Sequence, residues 1–136
     1  MTRLIGTCLL LVSLAACGGG SGVAGERPRD GVAFLGGREV SYAIDHDRIP
    51  VGRHAGRFSA LRIEVPDGAL EMYDIQVHFA DGSTFSPETR LQFRSGDSSR
   101  RIDLPGGDRQ ITSIDFLYRS DRPREGRANV RVYGVR

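Results

Sequence analysis

Residues 73–79 read Tyr73-Asp74-Ile75-Gln76-Val77-His78-Phe79. Apolar and polar side chains alternate at a period of two, which puts Tyr73, Ile75, Val77 and Phe79 on one face of a strand. Asp74, Gln76 and His78 fall on the other face. The same alternation recurs outward along the chain. Leu61, Ile63 and Val65 enclose Arg62 and Glu64, and Ile114, Phe116 and Tyr118 enclose Asp115 and Leu117. Val40, Tyr42 and Ile44 alternate with Ser41 and Ala43, Ile102 and Leu104 flank Asp103, and Val130 and Val132 flank Arg131. Leu91 and Phe93 supply a shorter run.

Punctuation falls between these runs. Pro50, Pro66, Pro87, Pro105 and Pro123 lie where a missing amide does little harm. Asp81-Gly82 between Phe79 and Phe85 predicts a hairpin, and Asp67-Gly68, Gly96-Asp97 and Gly106-Gly107 predict further turns. Phe58 is out of phase with Leu61, and Ile111 with Ile114, so a bulge or strand start is expected near each. About seven short antiparallel strands in one domain, with no helical stripe, predict an all-β sandwich.

The N-terminal segment reads differently. Met1 to Arg3 is followed by an apolar run from Leu4 to Ala16, too short for a bilayer span of about 20 residues and of the length expected in an export signal. Its exit, Leu14-Ala15-Ala16-Cys17, resembles the lipobox of bacterial lipoproteins. The resemblance implies cleavage after Ala16, diacylglycerol on the Cys17 sulfur and a further acyl chain such as palmitate on the new amino group. It also implies a cell-envelope address, with Gly18 after the cysteine favouring the outer membrane, facing the periplasm, over the inner one. Cys8 would leave with the signal, so the mature chain would have no thiol for a disulfide, for catalysis or for a metal.

Residues 17–30 are the lipidated cysteine and a run rich in Gly and Ser, which reads as a coil tether of about 20 Å. Residues 31–136 then form one domain. The chain has no lysine; all 19 basic residues are arginine. Schiff-base and phosphate-loop lysines are thereby excluded. Without Arg3, 18 arginines face 17 acids, and that near-neutral balance argues against nucleic acid as a partner. The stretch Arg119 to Arg127 reads as a solvated loop, with an anionic-lipid or lipopolysaccharide contact as the alternative.

The second half resembles small secreted bacterial β-domains of unknown function, on the segments IDLPGGDRQITSIDFLYRS (102–120) and ANVRVYG (128–134). The strand order is also loosely similar to galactose-binding-like jelly rolls. Both resemblances imply a fold and neither implies an activity.

Candidate sites are few. Asp45 and Asp47, with His54 nearby, occupy an expected loop after the 40–44 strand and offer oxygen and imidazole donors for a metal. The competing reading is a polar loop that caps its own backbone. Tyr133, with Arg131 and His78 on polar strand faces, is a candidate ligand set for a glycan or peptide. No nucleophile-elbow sequence is present, so enzyme activity is not expected, with hydrolysis as the minor alternative, and no cofactor is called for. These residues predict a non-catalytic interaction or structural domain of the envelope. Its partners would be the membrane, through Cys17, and an envelope protein or glycan. A carbohydrate- or peptidoglycan-binding module is the first alternative, a metal-binding domain the second.

Overall fold

A computed structural model of the chain describes residues 31–40, 44–88, 90–120 and 127–136. The expected signal and tether, Tyr42 and most of the 119–127 stretch lie outside the described residues. Ten strands follow one another: β1 (Val32–Val40), β2 (Ile44–Pro50), β3 (Ala60–Val65), β4 (Leu70–Phe79), β5 (Thr84–Phe85), β6 (Leu91–Phe93), β7 (Asp97–Ser98), β8 (Ile102–Asp103), β9 (Ile111–Ser120) and β10 (Ala128–Val135). One 3-10 turn, Arg53–Ala55, separates β2 from β3. No helix among the described residues is long and apolar enough to cross a membrane.

The strands form two antiparallel five-stranded sheets. One runs β1-β10-β3-β7 with β8 also on β3, and the other β2-β9-β4-β5 with β6 also on β4. The chain passes between the sheets from β1 through β4, then β9 joins β2 and β4 and β10 joins β1 and β3, which closes a β-sandwich. Each sheet buries its apolar face against the other. Phe58, Leu61, Ile63, Val130 and Val132 from the first meet Ile75, Val77, Ile114, Phe116 and Tyr118 from the second. Among the described residues the buried hydrophobic side chains run from Val40 to Val132 and form one core between the sheets.

Period-two reading locates this core well, and it slips where the ladder bulges. The register of β4 against β9 shifts between Met72 and Asp74. Met72 therefore takes the buried place expected of Tyr73, which is left half-buried under the Arg90 guanidinium, 4.9 Å from its ring centre. The second shift, between His78 and Phe79, sits opposite Ile111 and confirms an irregularity there. Phe58 pairs with Arg109 as an isolated bridge before β3 begins. The Asp81-Gly82 hairpin forms as expected, with Gly82 at φ 83 and the Ser83 amide and hydroxyl both donating to Asp81 Oδ1.

The expected strand at 40–44 and the loop after it are corrected. Val40 ends β1 and Ile44 begins β2, so residues 45–50 are strand. β1 itself escaped the periodicity because a bulge between Phe34 and Gly36 breaks its alternation. Gly36 is small for a steric reason: a Cβ there would stand 2.5 Å from Ile49 Cγ2 across the sheets.

Candidate functional site

The sandwich separates the expected ligand residues. Tyr133 and Arg131 lie on the outer face of the β1-β10-β3 sheet, whereas His78 lies on the outer face of the other sheet, across the whole core. One site cannot hold all three.

On the His78 side, the site is a charge cluster spanning three strands. Asp115 of β9 stands opposite Arg48 of β2 and diagonal to His78 of β4. Arg48 donates from Nε to Oδ1 at 2.6 Å and from a terminal nitrogen to Oδ2 at 2.8 Å. His78 Nε2 donates to Oδ2 at 2.9 Å. Such a forked pair is the strong form of an ion pair. The two lids leave the Asp115 side chain only 7% exposed, although it sits on a face where solvated residues are usual. The Arg48 hydrogen bonds hold the Asp115 carboxyl down at about 2, against desolvation, with His78 adding to the effect. Chemically this is a staple for β2, β9 and β4, because every acceptor lobe of the carboxylate facing a donor is already engaged.

On the Tyr133 side, the face is partly aromatic. Phe34 of β1 and Tyr133 of β10 are cross-strand partners, their ring centres 5.5 Å apart and tilted by 58°. Tyr133 is half-buried, while Phe34 is 60% exposed. Arg62 of β3 is the register partner of Tyr133, and Glu64 that of Arg131. Burial pushes the Tyr133 hydroxyl up from its ordinary value and the Glu64 carboxylate adds to this, while Arg131 opposes it. A phenol kept protonated beside exposed guanidinium groups is a platform for contact, with donors at its rim. Phe34 went unrecognised in the sequence because the bulge after it hides its strand.

The expected metal residues are described only in part, since the Asp45 side chain lies outside the described residues. Asp45 and Asp47 are two apart on β2, and His54 is exposed on the 3-10 turn beyond its end. The Tyr118 hydroxyl donates to Asp47 Oδ2, so that carboxylate serves a buried phenol. Among the described residues no group of three or more His, Cys, Asp or Glu side chains is placed to hold a metal ion.

At one end of the sandwich Arg109 packs over the Phe79 ring, 3.9 Å from its centre, and donates to Asp81, Ser83 and the Pro105 carbonyl. It ties the Asp81-Gly82 hairpin to the 105–109 loop.

A family model described as "Domain of unknown function (DUF2541)" matches residues 7–134. No curated protein matches the chain.

Proposed function

The chain belongs to the DUF2541 family, and from that premise we propose that it is a lipid-anchored, non-catalytic contact domain of the bacterial cell envelope. The anchor is Cys17, read from the lipobox-like Leu14-Ala15-Ala16-Cys17. The observation that carries the contact role is the exposed Phe34 ring beside Tyr133 on the outer face of the β1-β10-β3 sheet. The exposed ring packed against a second ring offers a joined aromatic surface that a partner can cover. The Asp115 cluster supports the non-catalytic reading, since Arg48 and His78 both spend their donors on one carboxylate.

Two acyl chains or more hold a protein stably, whereas one holds it only marginally. Substituting Cys17→Ser is therefore expected to move the protein from the membrane fraction to the soluble fraction and to abolish incorporation of a fatty-acid label. A variant that still sediments with membranes and still takes label would refute the anchor.

The same aromatic pair favours one second reading, a glycan-binding module that uses Tyr133 with Arg131. Titration of the domain with envelope glycans separates the two. Saturable binding that Tyr133→Ala removes supports the module; no response to any of them sinks it.

A further inference from the structure

Resting on that envelope reading, we infer that the partner of the Phe34 face is the anionic surface of the bilayer that holds the anchor. The chain enters the domain at Gly31, whose carbonyl accepts from the Arg136 amide at 2.7 Å. Val32 pairs with Val135, Val135 with Ala60, and Ala60 with Asp103. The start of β1, the end of β10, the start of β3 and the end of β8 thus share one end of the sandwich. Phe34 lies two residues inside that end, and Tyr133 lies beside it.

The same end is basic. Arg57, Arg62, Arg101 and Arg136 are all exposed there. Arg57 donates to the Asp108 carbonyl and Arg136 to the Ala55 carbonyl, so both are held at the rim. The nearby carboxylates are Asp103, which takes Arg101, Asp108, and Glu64, which stands beside the Tyr133 hydroxyl and opposite Arg131, so the arginines outnumber them. Exposed aromatics with arginines around them match the interfacial zone of a membrane, where rings sit at headgroup depth and each cation near an anionic surface contributes about a five-fold gain in partitioning.

Chain length makes the encounter unavoidable. Residues 18–30 separate Cys17 from Gly31, and even fully extended that length of chain spans no more than about 45 Å. The basic end is therefore held close to the headgroups, where the effective concentration of surface is high and a weak affinity suffices. The domain would lie on the membrane through this end, with the end of β9 at Ser120 and the start of β10 at Ala128 directed away.

The test uses the mature chain, residues 17–136, with Cys17→Ser, so that no lipid contributes. It should sediment with phosphatidylglycerol vesicles, not with phosphatidylcholine vesicles, and should detach as salt rises. Arg62→Gln and Phe34→Ser, both at exposed sites, should each lower the partition coefficient about five-fold. Leu117→Ser, on the outer face of the other sheet, should leave it unchanged. A second measurement uses the intact lipidated protein with Phe34→Trp. The chain has no other tryptophan, and its emission should shift to the blue in phosphatidylglycerol vesicles.

Equal binding to both vesicle types, no binding at all, or loss through Leu117→Ser would overturn the inference. So would saturable binding of polygalacturonate without vesicle binding, which would make the partner an acidic glycan. These failures are distinct from failure of the anchor. Fatty-acid labelling of Cys17 reads the anchor alone, and the lipid-free chain reads the face alone.

Discussion

Replacing Gly134 by alanine should destabilise the domain by about 2–3 kcal/mol, although the site is an exposed-looking "Tyr-Gly-Val" in an outer stretch of sequence. The reason is the Phe58 ring. A Cβ on Gly134 would stand 2.4 Å from Phe58 Cδ1 and 2.6 Å from two further ring atoms, with Phe58 fully buried. A ring packed on all sides cannot retreat from such a contact, and native packing density leaves no void to receive it. Gly134 pairs with Leu61 in the centre of its sheet, so the backbone cannot yield without breaking the β10-β3 ladder. The check is denaturant unfolding of the variant, followed by a double substitution. Phe58→Leu alone removes buried contacts and should itself cost about 1–2 kcal/mol. Combined with Gly134→Ala it should cost less than the two single changes together, because the smaller side chain leaves room for the new methyl. Additive losses would mean that the two residues do not oppose each other.

The second large effect is expected at Asp115. Asp115→Ala should cost about 2 kcal/mol at neutral pH, because it removes two forked hydrogen bonds from Arg48 and one from His78. The pH dependence has a definite sign. The folded-state carboxyl titrates at about 2, below its ordinary 3.8, so the native state favours the charged form. Its contribution is fully present above about pH 4 and is lost as the pH falls through about 2. A displacement of that size corresponds to roughly 2 kcal/mol, and the 60% exposure of the Arg48 side chain discounts it to about 1 kcal/mol. Stability measured from pH 5 down to pH 2 should therefore converge for the native protein and the Asp115→Ala variant. Parallel curves over that range would show that Asp115 is not held as an ion in the fold.

Both positions show what a one-dimensional pattern can convey. The buried faces of β3, of β10 and of β9 from Ile114 to Tyr118 were legible because apolar residues there alternate, and the Gly-containing turns were legible because positive-φ positions demand Gly. Gly68, Gly82, Gly96, Gly106 and Gly107 all fill such positions. β1 and β2 were illegible for contrary reasons. A bulge breaks the rhythm of β1 after Phe34. In β2 the polar run Asp45-His46-Asp47-Arg48 looks like a loop, although Arg48 faces Asp115 and Asp47 takes a buried phenol. The Asp115 cluster joins residues 37 and 67 positions apart, a distance at which spacing carries no signal. Tyr133 was recognised as the aromatic able to contact a ligand, but its neighbour Phe34 was not, since their adjacency exists only through the β1-β10 register.

The strand order has a temporal consequence. In the first sheet β10 lies between β1 and β3, and in the second β9 lies between β2 and β4. The strands β1 to β4 therefore share no ladder with one another; β3 and β4 meet only the short strands β5 to β8 early, and every long ladder waits for β9 or β10, a sequence separation that contact order translates into slow folding. A ribosome-bound chain ending before Ile111 would own neither central strand and could complete neither sheet. The long ladders of both sheets can thus close only after β9 and β10 have been made. Removing β10 should leave a chain that never acquires cooperative unfolding, whatever stability its remaining strands could contribute.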